Sequence, residues 1–154
     1  MAGPEILVDA DGCPVKEEVY RVARRYKMNV TLVANTKMRF PEADWLKQVI
    51  VEGQFNAADD WIAEHARKDD IVITGDIPLA ARCLAKGAAV LDVRGGVFTE
   101  ADIGEALAAR ELLSHLRETG TITGGPRVFE QRDRSRFLQR LDETVHAIRR
   151  RNRR

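Results

Sequence analysis

Four aspartates stand where a carboxylate is costly to keep and useful to have. Ile6-Leu7-Val8 runs into Asp9-Ala10-Asp11-Gly12, and Ile71-Val72-Ile73 runs into Thr74-Gly75-Asp76. Between them, Asn56-Ala57-Ala58-Asp59-Asp60-Trp61 reads as the opening of a helix. In open parallel α/β sheets the ligand crevice lies outside the carboxyl ends of the strands, so these side chains are placed to converge. Two carboxylates about 4 Å apart repel by about 4 kcal/mol at an effective dielectric near 20. Such a cluster calls for a cation, and hard oxygen donors suit Mg²⁺ or Mn²⁺. Ions of that kind activate water and clamp phosphate in phosphodiester hydrolysis. The chemistry expected from these residues is metal-assisted phosphodiester hydrolysis.

Each acid also has a purely structural use. Asp9 and Asp11 could hold the turn into the next helix, as strand-ending Asp residues do. Asp11, beside Gly12, suits that use better, so Asp9 is the metal ligand and Asp11 either joins it or holds the loop. Asp59 and Asp60 point about a quarter-turn apart. Asp59 shares a face with Ile62, Ala63 and Ala66, the apolar stripe, and so faces the sheet. Asp60 turns toward Glu64 and solvent. Asp59 could equally serve the helix N-terminus, and Asp76 could cap the helix of Leu79 and Leu84. Any one of them alone reads as structural; together they fit one strand-end crevice.

Weaker signals surround them. Asn35 ends a strand and reaches toward the same edge, or else makes a turn. Lys16 in a first helical turn opposes the helix dipole, which suits a phosphate-facing role; a solvated lysine is the plainer reading. Arg94-Gly95-Gly96 follows another strand, and Arg134 flanks the last helix. His65, His115 and His146 are isolated. Cys13 lies near the crevice and reads as a small buried thiol.

The elements that must position these groups follow from periodicity. Val- and Ile-rich runs alternate with helix-period segments, which indicates a central parallel sheet of about five strands with helices on both faces. The strands expected are 5–9, 30–34, 48–52, 71–74 and 88–92, with 41–46 a loop or short helix. The first helix opens near Pro14 and buries Val15, Val19, Val22, Ala23 and Tyr26. The next spans 57–68 with Asn56 as N-cap. Pro78 opens a third, with Leu79, Ala80, Cys83 and Leu84 inward, and Gly87 closes it. Thr99 and Asp102 have capping-box spacing before a helix through Ile103, Leu107 and Leu113. Beyond Gly124-Gly125-Pro126 a last helix carries Phe137, Leu138, Leu141, Val145 and Ile148 at helical spacing.

One domain, 1–148, fits the 154 residues. Twenty-five basic against 24 acidic residues leave a net charge of +1, so overall charge points to no partner. Residues 149–154, Arg-Arg-Arg-Asn-Arg-Arg, read as a basic tail, solvated and frayed rather than nucleic-acid-binding. Two cysteines without metal-ligand spacing, no leader pattern and no long apolar run point to a reducing cytoplasm with no membrane role.

The run Asp9-Ala10-Asp11-Gly12-Cys13-Pro14-Val15-Lys16, with Ala58-Asp59-Asp60-Trp61-Ile62, Thr74-Gly75-Asp76-Ile77-Pro78-Leu79-Ala80 and Gly124-Gly125-Pro126, resembles the YaiI/YqxD family over nearly the whole chain. That resemblance implies a PIN-like three-layer α/β/α fold, and PIN domains are metal-dependent ribonucleases with a small acidic cluster. The pattern's first-strand aspartate falls on Asp9, its helix-opening acid on Asp59, and its Thr-x-Asp on Thr74 and Asp76; Asp11 has no counterpart in it. Carried over, it makes Asp9, Asp59 and Asp76 the Mg²⁺ or Mn²⁺ ligands with Asp11 assisting. Lys16, Asn35, Thr74, Arg94 and Arg134 would contact the substrate.

Two other functions compete. A haloacid-dehalogenase-type phosphatase opens with Asp-x-Asp, as Asp9-Ala10-Asp11 does, but Cys13 replaces the usual Thr. Ala80 also stands where the second acid of a Gly-Asp-x-x-x-Asp motif starting at Gly75 belongs. A non-catalytic module that binds metal or nucleic acid shares every feature of the fold, which alone cannot separate it from a nuclease.

Overall fold

The structure is a computed structural model that describes residues 3–53, 56–120 and 128–153. The motif Gly124-Gly125-Pro126 lies outside the described residues. A six-stranded sheet runs in the order β3-β2-β1-β4-β5-β6, formed by β1 (Ile6–Asp9), β2 (Val30–Ala34), β3 (Leu46–Ile50), β4 (Ile71–Ile73), β5 (Ala89–Leu91) and β6 (Val97–Phe98). The first five strands are parallel, and β6 returns antiparallel to β5. Five helices accompany them: α1 (Lys16–Tyr26), α2 (Ala57–His65), α3 (Ile77–Ala85), α4 (Ile103–Glu118) and α5 (Gln131–Asn152).

Strand alternation builds the three layers. Ile6 lies level with Val30 and Ile71 across the ladder. With Val8, Leu32 and Ile73 they face a core closed by Val19, Val22 and Ala23 of α1 and Phe137, Leu141, Val145 and Ile148 of α5. The intervening residues Leu7, Val33, Val72 and Val90 face the opposite core, closed by Ile62 and Ala63 of α2 and Leu79, Ala80 and Cys83 of α3. Each fully buried side chain of Leu, Ile or Phe size contributes about 1.5–3 kcal/mol. These two cores hold the strand ends in place.

Several expectations need correction. The third strand lies at Leu46–Ile50, two residues before 48–52, because Val30 N–H bonds to the Trp45 carbonyl and fixes the register there. A short sixth strand joins the sheet through the turn at Asp92, whose Oδ1 accepts the backbone N–H of Arg94 and Gly96. Helix α1 begins at Lys16, two residues past Pro14, and α2 ends at His65, with Ala66 already extended. Asn56 flanks α2 but makes no side-chain capping bond. The Thr99–Asp102 pair bonds reciprocally as its spacing requires, with Thr99 N–H to Asp102 Oδ1 at 3.0 Å and Asp102 N–H to Thr99 Oγ1 at 3.3 Å.

The helix that follows, α4, buries none of its side chains; Leu113 is 43% exposed and Leu112 57%. It rests on α3 rather than on the sheet, so only its first turns meet a core. The basic stretch from Arg149 is not a frayed tail either, since α5 runs on through Asn152. Arg149 stacks 5.1 Å over the Tyr26 ring and donates to the Tyr26 carbonyl, and Arg151 pairs with Asp69 at 2.9 Å. Cations at a helix C-terminus are favoured by the dipole, and here they also find partners.

Candidate functional site

Chain order reverses between β1 and β4: β2 and β3 lie on one side of β1, and β4, β5 and β6 on the other. The carboxyl ends of these two central strands form the topological switch point, the usual place for a ligand in such sheets. Asp9 is the last residue of β1, and Thr74-Gly75-Asp76 follows β4 directly. The Thr74 hydroxyl, 2% exposed, donates to Asp9 Oδ2 at 2.9 Å and accepts the Asp76 N–H at 3.0 Å. One side chain thus ties the two strand ends together. Asp76 uses Oδ1 to accept the Leu79 N–H at 2.9 Å and so caps α3, as its position before Ile77-Pro78 allows.

Asp59 comes from the first turn of α2, whose buried face of Ala58, Ile62 and Ala63 turns it toward the sheet. Its carboxyl is raised to about 6, first by burial and then by the charges of Asp76 and Asp9. Burial likewise raises Asp9, opposed by the Thr74 hydrogen bond and reinforced by Asp76 and Asp11. Among the described residues no basic side chain bonds to Asp59. Asp60, one residue on, is half-exposed but does not turn to Glu64: it pairs with Arg82 of α3 at 2.8 Å, on the wall of a cavity that Asp59 and Asp76 also line. The donors suit a hard divalent cation in type. Even so, no three His, Cys, Asp or Glu side chains among the described residues stand in an arrangement that could hold one.

The family described as "Uncharacterized BCR, YaiI/YqxD family" matches residues 7–147. The chain belongs to the YaiI/YqxD family. A UPF0178 protein of Parvibaculum lavamentivorans is 56% identical over 147 residues, covering 96% of this chain and 97% of its own length. A UPF0178 protein of Nitrobacter winogradskyi is 50% identical over 150 residues, covering 97% and 96%. No solved structure matches the chain significantly.

The remaining site residues of this YaiI/YqxD chain fall into separate groups. Asp11 Oδ2 accepts the Asn35 N–H at 2.8 Å, which locks the β1 loop, with Gly12 at φ +72°, to the end of β2. Of the two uses open to Asp11 this contact is the loop-holding one, and it engages Asn35 through its backbone. Lys16 Nζ donates to the Cys13 carbonyl at 3.3 Å. Arg94 pairs with the fully buried Asp133 of α5 at 2.9 Å and lies over Phe129. Arg134 also lies over Phe129, donates to the Pro14 carbonyl, and stands 3.5 Å from Glu18. Arg94 and Arg134 therefore knit loops to α5 rather than facing Asp9, Asp59 or Asp76 through any hydrogen bond or ion pair among the described residues. Cys13 is buried with its thiol pushed up chiefly by that burial, and Cys83 is pushed up to about 11 for the same reason.

Two basic residues at the site belong to no motif of the sequence. A cavity of about 310 Å³ opens beside Asp59 and Asp76, and Arg82 of α3 and Arg110 of α4 line it. A weak signal existed for Arg110: it follows Ile103 by seven and Leu107 by three, which puts it on the face α4 turns to α3. Arg82 carried none, because its place opposite Asp60 depends on how α2 packs against α3.

Proposed function

We propose that this chain is a divalent-metal-dependent phosphodiesterase acting on nucleic acid. The observation that supports the reading is that the Thr74 hydroxyl links Asp9 to Asp76 at the switch point of the sheet, while Asp59 feels the charges of both and has no basic partner among the described residues. Asp9, Asp59 and the Asp76 oxygen not spent on the helix cap would hold Mg²⁺ or Mn²⁺. When bound, the cation supplies positive charge to the phosphoryl oxygens and acidifies water. The Thr74 hydroxyl orients Asp9 and, by donating to Oδ2, offsets part of the rise that burial imposes on it, and the α3 N-terminus fixes Asp76 through Oδ1. The cavity beside them admits the substrate. The test is cleavage of single-stranded and structured RNA with Mn²⁺, comparing wild type with Asp9→Asn and Asp76→Asn. Both variants should fold and lose cleavage by more than about 100-fold, as loss of a metal-centred step requires. Equal activity in all three would identify a contaminant and end the reading.

A second reading, a module that binds without chemistry, is favoured by one observation. Asp76 already spends an oxygen on capping α3, and no three-carboxylate arrangement is assembled among the described residues. Metal-dependent stabilisation without turnover would favour it. The phosphatase reading gains no support: Ala80, where its second acid belongs, is fully buried in the core that α3 shares with the sheet.

A further inference from the structure

The cavity beside Asp59 and Asp76 is lined by charges of both signs. Asp59, Asp60 and Asp76 supply the acidic part; Arg82 and Arg110, contributed by α3 and α4, supply the basic part. Arg82 is paired with Asp60 at 2.8 Å, and the two side chains are 47% and 52% exposed. An ion pair that open to solvent is worth less than about 1 kcal/mol, so an incoming anion can displace it. Arg110 is exposed and has no ion pair or hydrogen bond among the described residues. Two guanidiniums facing one recess offer forked donors matched to the paired oxygens of a phosphate, which a lysine could not supply.

We propose that Arg82 and Arg110 form a phosphate clamp for an unpaired nucleic-acid strand, holding a phosphate next to the one presented to the aspartates. The proposal rests on the nuclease reading for what happens at the aspartates, and on the cavity alone for binding. Size selects the substrate class. About 310 Å³ is near the lower limit of ligand pockets and takes one sugar-phosphate unit of a single strand, not the breadth of a duplex. Helix α4 is then a substrate-gripping arm, which fits its position against α3 with only Ile103 of its first turn packed against a core.

Fluorescence anisotropy tests this on the full chain in EDTA, with a labelled pool of randomised RNA of about 12 nucleotides, a length typical of single-strand sites. Arg110→Ala should weaken binding about 10-fold and lower the slope of log affinity against log salt by about 0.7, the loss of one phosphate contact on a single strand. Arg82→Ala should act in the same direction and Arg110→Lys should fall between. Arg117→Ala, on the same helix but not lining the cavity, should bind like wild type. Because α4 buries no side chain, Arg110→Ala should leave the melting temperature and circular dichroism unchanged. The proposal is overturned if wild type does not bind the pool, if Arg110→Ala keeps wild-type affinity and salt slope, if Arg117→Ala loses as much, or if a duplex binds as tightly. Failure of the metal reading looks different: Mn²⁺ would neither stabilise the protein nor support cleavage, while the Arg110 effect in EDTA persisted.

Discussion

Replacing Asp59 with Asn should make the metal-free protein more stable, a result opposite to that of most substitutions at a half-buried polar site. The Asp59 carboxyl is raised from 3.8 to about 6 by burial, Asp76 and Asp9. Its charged form is therefore disfavoured in the folded state relative to the unfolded one. At about 1.4 kcal/mol per tenfold change in proton affinity, that is about 3 kcal/mol for a fully shielded group. Asp59 is only partly buried, and solvent screening reduces the figure to about 1 kcal/mol. The sign follows from linkage. The folded state holds this proton more tightly, so the penalty is complete above about pH 6 and fades as pH falls toward 4. Thermal melts in EDTA near pH 8 should place Asp59→Asn about 2–4 °C above wild type for a domain of this size. The difference should fade toward zero by about pH 4, as the wild-type carboxyl becomes protonated in the unfolded state as well as the folded one. Adding Mn²⁺ should reverse the order, since only wild type gains binding free energy of RT ln(1 + [L]/Kd). A variant that melts at or below wild type near pH 8, or keeps a constant advantage at every pH, refutes the electrostatic reasoning.

Other outcomes follow from the same contacts. Thr74→Val removes the hydrogen bond that lowers the Asp9 carboxyl, so the acid limb of the cleavage pH profile should move to higher pH; an unmoved limb would show that Asp9 is not titrating there. Arg94→Ala leaves the fully buried Asp133 without the guanidinium 2.9 Å away. Stripping a buried ion pair of one partner costs about 3 kcal/mol, which urea unfolding should register, whereas a loss confined to substrate affinity would restore Arg94 to a binding role. Cys13 and Cys83 are buried with raised thiols. Alkylation by iodoacetamide should be far slower in native protein than in urea, and rapid native modification of Cys83 would contradict its burial.

The positions of the acids were legible in the sequence because they depend on short-range rules. A β-branched run ending in Asp puts a carboxylate at a strand terminus, and the offsets of three, four and seven from Asp59 to Ile62, Ala63 and Ala66 orient it toward the sheet. The alternation that separates Ile6 and Val8 from Leu7 was legible for the same reason. What the sequence could not state was which distant groups would meet. Arg94 reads as a strand-end cation for phosphate, yet packing of α5 brings a buried Asp133 to it across 39 residues. Leu113 reads as part of the apolar stripe with Ile103 and Leu107, but α4 is docked on α3 rather than on the sheet and leaves it exposed. Arg82 meets Asp60 only because α2 and α3 lie side by side. Local periodicity determines which way a side chain points from its own element; only the packing of one element on another decides what stands opposite it, and charge pairing at the site is a property of that second kind.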